Sequence, residues 1–174
     1  MLSVWPTSGQ SQTNIGQSSV INEYNAIHHP VVGHKGMVSS QNAAATRVGV
    51  EILENGGNAV DAAVAVGLTL AVTLPRAGNL GGGGFMLVHI AGEQRTVAID
   101  FRETAPALSS PDMFFGSDGE VDNAEYRSTH KSSAIPGTIA GLDHILRRYG
   151  TMEWADLVEP ALRLAREGFP VTED

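Results

Sequence analysis

The sequence predicts a mixed α/β (α+β) fold, and three observations carry that prediction. Two helical patterns follow each other over residues 41–54 and 59–72. Two short apolar runs, 85–90 and 96–101, then flank a polar turn in the manner of a β-hairpin. Helical periodicity returns from residue 138 onward. The 174 residues fit one domain by the usual expectation of roughly 100–200 residues per domain.

The first helix is predicted over residues 41–54, with apolar side chains recurring on one face. Ser39 or Ser40 is the predicted N-cap, since a serine hydroxyl can accept from the free N–H groups of the first turn. Gly56 and Gly57 end the helix, because glycine readily adopts the left-handed conformation found at helix ends.

The second helix is predicted over residues 59–72, capped by Asn58 and closed by Pro75. Asp61 lies in its first turn, where the helix dipole favours a negative charge. Alanine and valine occupy most of the remaining positions of the helix. A helix that is apolar all round is expected to be buried.

The strands 85–90 and 96–101 are joined by the polar turn 92–94. Both runs are apolar at nearly every position, which is typical of a sheet covered on both faces. The sequence therefore predicts a hairpin packed between two layers.

The segment 109–133 is irregular and polar, and a helix is predicted to follow it over residues 138–149. The last helical pattern, 152–167, contains Pro160. Proline inside a helix removes one hydrogen bond and clashes with the preceding turn. We therefore expect a break there, with a new helix beginning at Pro160.

The termini and the composition limit the function classes. Residues 1–30 are expected to form a poorly ordered polar tail before a domain over 31–174 that looks incomplete at its C-terminus. The net charge is −8 and no basic run occurs, so nucleic acid is a poor partner. There is no cysteine and no leader-like apolar stretch. His28, His29 and His34 have no acidic partner in register, so no metal site is predicted.

The glycine run Gly81, Gly82, Gly83 and Gly84 is the first candidate for a functional element. A phosphate loop needs a strand before it and a helix N-terminus after it. Here a helix precedes and a strand follows, so a corner where backbones or a substrate approach closely is favoured.

Arg102 is the second candidate, because it follows a predicted buried strand and stands between Asp100 and Glu103. One interpretation is an ion pair with either carboxylate. The other is bidentate recognition of a ligand carboxylate by the guanidinium group. The residue pattern leaves both interpretations open.

Several longer motifs resemble the γ-glutamyltranspeptidase family, over essentially all of the chain after residue 29. They are NGGNAVDAAVAV (55–66), AGNLGGGGFMLV (77–88), AIDFRETAP (98–106), PGTIAG (136–141), YGTM (149–152) and PALRLAREGFPV (160–171).

The resemblance implies an N-terminal-nucleophile hydrolase with a four-layer αββα sandwich, made as a precursor that cleaves itself into a large and a small subunit. It implies that a threonine at the start of the small subunit attacks the γ-glutamyl amide of glutathione or another γ-glutamyl compound. Water, an amino acid or a dipeptide then accepts the acyl group. No cofactor is implied.

The resemblance also assigns roles within this chain, which matches the N-terminal part of the large subunit. Arg102 is expected to bind the α-carboxylate of the substrate, with Glu103 and the glycines Gly81–Gly84 in support. The catalytic threonine is expected outside these 174 residues, so the chain alone is expected to be inactive. Family members are usually periplasmic, extracellular or membrane-anchored, which the absence of a leader here leaves undecided.

Two alternatives remain at this level. A glutaryl or cephalosporin acylase of the same family would use the same arginine and threonine. A non-enzymatic truncated fragment would lack the threonine altogether.

Overall fold

The computed structural model describes residues 31–171. The fold below is that of the compact unit Lys35–Asp174. The tail predicted over residues 1–30 lies outside the described residues.

The structure contains both helices and strands, and the mixed α/β (α+β) prediction is confirmed. The elements in chain order are α1 (Ala43–Glu54), α2 (Ala59–Thr73), β1 (Phe85–Ile90), β2 (Arg95–Asp100), α3 (Asn123–Ser128), α4 (Thr138–Tyr149) and α5 (Trp154–Glu167).

Helix α1 begins two residues later than predicted and has a different cap. The Asn42 side chain accepts hydrogen bonds from the N–H groups of Ala44 and Ala45, at 2.9 and 3.2 Å. Ser40 instead donates its hydroxyl to the Asn42 carbonyl at 2.9 Å. The prediction of Ser39 or Ser40 as the cap was therefore wrong, because Asn42 lies one position before the helix and its side chain reaches the free amides directly.

Helix α2 confirms its predicted span almost to the residue. Asn58 and Asp61 form a reciprocal capping box, in which each side chain accepts from the other's backbone N–H. The helix lies at the centre of the unit, packed against α1, α4 and α5. This position explains why its sequence is apolar on nearly every face.

Strands β1 and β2 form an antiparallel hairpin with Phe85 opposite Asp100 and Ile90 opposite Arg95. The helices cover one face of it, where Met86, Val88 and Ile99 join the core. The other face is open within the described part of the chain: Phe85 is 68% exposed and Leu87 is 75% exposed. The prediction that both faces are covered was wrong for residues 31–171, because all the described helices that join the core pack on the same side.

One core holds the helices to the hairpin. Its buried apolar side chains come from α1, α2, β1, α4 and α5. They are Val48, Ile52, Val60, Ala62, Val64, Ala65, Leu68, Val88, Leu142, Ile145, Leu146, Leu157 and Ala161.

Helix α4 is confirmed at its predicted bounds, but the break predicted at Pro160 was wrong. Helix α5 runs through Pro160 without interruption. The proline removes the hydrogen bond to the Asp156 carbonyl, and Asp156 is exposed, so water can satisfy that oxygen. Burial of Leu157 and Ala161 holds the helix together on its other face.

The segment predicted as irregular contains one short helix, α3. Asp122 caps it by accepting from the N–H groups of Ala124 and Glu125, at 2.9 and 3.1 Å. A helix of six residues has too few periodic positions to be recognised by pattern. In residues 31–171, no helix is both long and apolar enough to cross a membrane.

Candidate functional site

Arg102 lies two residues after the end of β2, and its side chain is 61% exposed. Its Nε is 2.8 Å from Oε2 of Glu103. The Asp100 carboxylate has a different role, since its Oδ1 accepts a hydrogen bond from the Arg102 backbone N–H at 2.9 Å. The predicted ion pair is thus present and is made with Glu103.

The Arg102–Glu103 contact leaves part of the guanidinium group available. Glu103 Oε2 is a buried atom, and the 2.8 Å contact lacks the alignment of a hydrogen bond, so it is an ion pair of close charges. Its shortest distance is the one to Nε. Among residues 31–171, no group accepts a hydrogen bond from either terminal Nη atom of Arg102. The ion pair and a carboxylate-binding role are therefore compatible.

The aromatic ring of Phe85 lies beneath the guanidinium group. The Cζ atom of Arg102 is 5.9 Å from the ring centroid, within the range of a cation–π contact. Phe85 is the first residue of β1 and directly follows the glycine run.

The glycine run brings its backbone against the segment that carries Arg102. A Cβ at Gly83 would overlap the carbonyl oxygen of Phe101 and lie 2.8 Å from the Arg102 Cα and the Glu103 nitrogen. None of the four glycines has a positive φ. Close approach, rather than an unusual backbone conformation, is therefore what requires glycine at Gly83.

The neighbouring glycines differ from Gly83 in their surroundings. Gly84 pairs with Phe101 through two backbone hydrogen bonds of 3.3 and 3.0 Å. The Gly82 carbonyl accepts from the N–H groups of Gly137 and Thr138, at 2.8 and 3.0 Å. Gly81 has no neighbouring atom within 4 Å of a Cβ placed there. The glycine run thus joins the hairpin to the start of α4, where the Gly82 carbonyl accepts its two hydrogen bonds. A helix does precede and a strand does follow, as expected for a corner rather than a phosphate loop.

Gly137 closes the other side of the same segment. A Cβ there would overlap the Phe101 carbonyl oxygen and lie 3.1 Å from the Arg102 carbonyl oxygen. Thr104 and Ile135 pair nearby through backbone hydrogen bonds of 3.2 and 2.8 Å. Sequence reasoning missed this role of Gly137, because the role depends on the carbonyl oxygens of Phe101 and Arg102, far from Gly137 in the chain.

A second polar cluster, away from Arg102, was also missed. Asp61 is completely buried and accepts hydrogen bonds from Asn58 N at 2.7 Å, Thr151 N at 2.8 Å, Thr151 Oγ1 at 2.6 Å and Met152 N at 3.1 Å. Asn58 also donates its side-chain amide to the Tyr149 carbonyl at 2.7 Å. These contacts tie the start of α2 to the loop between α4 and α5.

The environment of Asp61 favours its ionised form. Burial alone would raise the pKa of the carboxyl group. The hydrogen bonds from the Thr151 hydroxyl and from the backbone N–H groups of Asn58, Thr151 and Met152 outweigh that effect and hold the pKa below its usual value of 3.8. Every oxygen of the side chain has a partner, so the cluster is structural.

No group of three or more His, Asp and Glu side chains within residues 31–171 is arranged to hold a metal ion. His34 lies within this range, whereas His28 and His29 lie outside the described residues.

Comparison with known proteins places the chain in a family. The family model for gamma-glutamyltranspeptidase matches residues 45–174. The glutathione hydrolase proenzyme of Escherichia coli (strain K12) is 54% identical over 147 residues, which cover 84% of this chain and 25% of that protein. The chain spans about a quarter of the length of the curated bacterial relatives it matches.

Solved structures agree with the sequence match. The gamma-glutamyltranspeptidase of Helicobacter pylori superimposes with a TM-score of 0.76 at 41% identity, over 80% of this chain and 40% of that one. The enzyme from Pseudomonas nitroreducens, complexed with L-DON, gives a TM-score of 0.75 at 39% identity, over 82% and 42% of the two chains. The α/β fold is thus that of a part of an N-terminal-nucleophile hydrolase. The chain belongs to the γ-glutamyltranspeptidase family.

Proposed function

We propose that this chain provides the α-carboxylate-binding part of an enzyme that cleaves the γ-glutamyl amide of glutathione and related compounds. The observation that carries the proposal is the exposure and the contacts of the Arg102 guanidinium group. Its guanidinium group is exposed, held at Nε by Glu103, and has both Nη atoms available among residues 31–171.

The available edge of the guanidinium group suits a carboxylate. Two parallel N–H groups can donate to the two oxygens of one carboxylate, which adds geometric specificity to charge attraction. Glu103 lies closest to Nε, so the Nη1–Nη2 edge is the one that remains for a ligand. The α-carboxylate of a γ-glutamyl group is an exposed, unhindered anion of this kind, and the relatives named glutathione hydrolase support this choice of substrate.

The remaining chemistry requires parts that this chain does not contribute. In the proposed reaction, a threonine at the start of the small subunit attacks the γ-carbonyl carbon, and its own amine acts as the base. The amine of the leaving group departs, and water, an amino acid or a dipeptide then takes the acyl group. Arg102 contributes by orienting the substrate through a group that does not react.

The glycines have a supporting part in the proposal. Gly83 fixes the backbone of residues 101–103 by close contact, and Gly84 pairs with Phe101. Gly82 ties this corner to α4, and Gly81 leaves open space beside it. Backbone contacts on a rigid scaffold hold a binding side chain more precisely than a free loop does.

The test is Arg102→Lys in the complete gene product. Lysine keeps the charge and loses the planar pair of donors. Loss of one charge-assisted hydrogen bond, about 1.5–3 kcal/mol, raises KM for a γ-glutamyl substrate about 10- to 100-fold. The expected kcat is within a few-fold of the original, and autocleavage is retained.

Arg95→Lys is the matched control. Arg95 lies at the other end of the hairpin, is 51% exposed and pairs with Glu93 at 2.7 Å. Its substitution is expected to leave KM unchanged. An unchanged KM in Arg102→Lys, with normal folding, would remove Arg102 from the site.

A second experiment distinguishes a wrong role for Arg102 from the absence of a catalytic threonine. The genomic sequence downstream of this chain is read for a threonine at an autocleavage junction, whose absence from an intact frame favours the non-enzymatic alternative. A hybrid in which this chain replaces the matching quarter of the Escherichia coli proenzyme then tests Arg102 independently of that outcome.

The glutaryl or cephalosporin acylase alternative is decided by competition. The complete enzyme is offered glutathione together with a glutaryl amide, which lacks the α-amino group. Preferential hydrolysis of glutathione supports the proposed substrate, and preferential hydrolysis of the glutaryl compound overturns it.

A further inference from the structure

Phe85 is an exposed aromatic residue with a specific contact. It is 68% exposed on the open face of the hairpin, and the Arg102 Cζ atom lies 5.9 Å from its ring centroid. A single exposed apolar side chain needs no explanation. An aromatic ring directly beneath the guanidinium of a binding arginine does, because the negative face of the ring attracts that cation.

The backbone pairing of β1 with β2 brings Phe85 close to Arg102. Phe85 pairs with Asp100 in the hairpin register, and Gly84 pairs with Phe101 one step further along. Arg102 therefore emerges opposite the start of β1. The position of the ring is set by strand pairing and does not depend on a flexible loop.

Two side chains then hold the guanidinium group from different directions. Glu103 contacts Nε in the manner of an ion pair, and Phe85 contacts the guanidinium group through its ring face. Glu103 alone leaves rotation about its contact open, because the ion pair lacks hydrogen-bond alignment. The ring face favours some orientations of the guanidinium group over others, because the attraction is to that face.

We propose that Phe85 is a positioning residue for Arg102, holding the guanidinium group in the orientation that receives the substrate carboxylate. This inference rests on the proposed function, since it requires Arg102 to bind the carboxylate. Phe85 acts through Arg102 and leaves the reacting atoms untouched.

The experiment compares Phe85→Leu and Phe85→Tyr in the complete gene product, or in the hybrid proenzyme if that product is inactive. Leucine keeps an apolar side chain and removes the π face, whereas tyrosine retains it. Phe85→Leu is expected to raise KM for a γ-glutamyl anilide about two- to fivefold with kcat unchanged. Phe85→Tyr is expected to keep the original KM. If Phe85→Leu does not fold, Phe85→Met replaces it with a side chain of similar volume.

Leu87→Ala is the matched control, since Leu87 lies on the same face, is 75% exposed and has no aromatic ring to attract a cation. It removes apolar area without removing a cation–π contact, and its KM is expected to stay unchanged. An equal rise in KM for Leu87→Ala would show a general effect of that face and would overturn the proposal.

A double-mutant cycle with Arg102→Gln completes the test. Phe85→Leu is expected to have no further effect on KM once the cation is removed. The same two- to fivefold effect in the Arg102→Gln background would overturn the role of Phe85. Arg102→Lys separates this failure from failure of the proposed function: if it leaves KM unchanged, the carboxylate site itself is wrong.

Discussion

The buried carboxylate of Asp61 offers the sharpest test of how this fold is held together, through the substitution Asp61→Asn. The side chain is fully buried and accepts four hydrogen bonds. Oδ2 accepts from Asn58 N at 2.7 Å and from the Thr151 hydroxyl at 2.6 Å. Oδ1 accepts from the N–H groups of Thr151 and Met152, at 2.8 and 3.1 Å.

The cost follows from those partners. An amide in the same place keeps one acceptor oxygen and presents an NH₂ group to the Asn58 N–H, leaving a buried donor unpaired at a cost of about 1–3 kcal/mol. The two bonds to Oδ1 lose their charge assistance, about 1 kcal/mol each. The Thr151 hydroxyl can rotate to accept from the new amide, and a neutral group is cheaper to bury. The expected net loss is about 2–4 kcal/mol of unfolding free energy.

Hydrogen exchange followed by mass spectrometry measures this locally, in the loop between α4 and α5. The amides of Thr151 and Met152 are expected to exchange faster in Asp61→Asn by the factor that corresponds to the lost free energy. The control is Asp143→Asn, where an exposed carboxylate pairs with Arg147 at 2.8 Å in an i,i+4 arrangement. That change is expected to cost no more than about 0.5 kcal/mol.

The pH dependence gives a second measurement on the same residue. The pKa of Asp61 is lower in the folded than in the unfolded chain, so its contribution to stability is present above pH 3.8 and is lost as the pH falls through the folded value. Asp61→Asn is expected to abolish this part of the acid dependence. Equal exchange rates and equal acid profiles for the two proteins would refute the reasoning.

Two further predictions concern the backbone. Gly83→Ala is expected to raise KM for a γ-glutamyl substrate several-fold, because the added methyl group displaces the segment bearing Arg102. Gly92→Ala, in the hairpin turn, where an added Cβ has no atom within 4 Å, is expected to leave KM unchanged. Kinetics on both variants decide this, and equal effects would contradict it. Pro160→Ala is expected to raise stability by about 1–2 kcal/mol, because the restored helical hydrogen bond and relieved clash outweigh the greater conformational entropy of the unfolded chain. A lower thermal midpoint would contradict this.

The helices and the hairpin were largely predictable, because their signals are local. The cap at Asn58, the glycines after α1 and the apolar period of α4 each lie within a few residues of what they decide. The errors arose where two local signals competed. Asn42 outcompeted the nearby serines as a cap, and the packing of α5 outweighed the break expected at Pro160.

The candidate site was predictable only in part. Arg102 and Glu103 stand out by position, yet which carboxylate pairs with the arginine depends on side-chain direction at the end of β2. Gly137 and Phe85 carried no chemical signal of their own. Their contacts with the Arg102 segment exist because strand pairing and the start of α4 bring distant residues together.

By itself, the sequence determined most of the elements and the family, since periodicity, capping and motif order are local features of the chain. The family resemblance then gave the expectation that Arg102 meets a carboxylate. Only the tertiary structure decided that Glu103 rather than Asp100 pairs with Arg102, that one face of the hairpin stays open within residues 31–171, and that Asp61 binds a loop 90 residues away. The open face and the Asp61 contacts depend on distances between atoms far apart in the chain, and the choice of Glu103 depends on side-chain direction at the end of β2. No local sequence pattern encodes either.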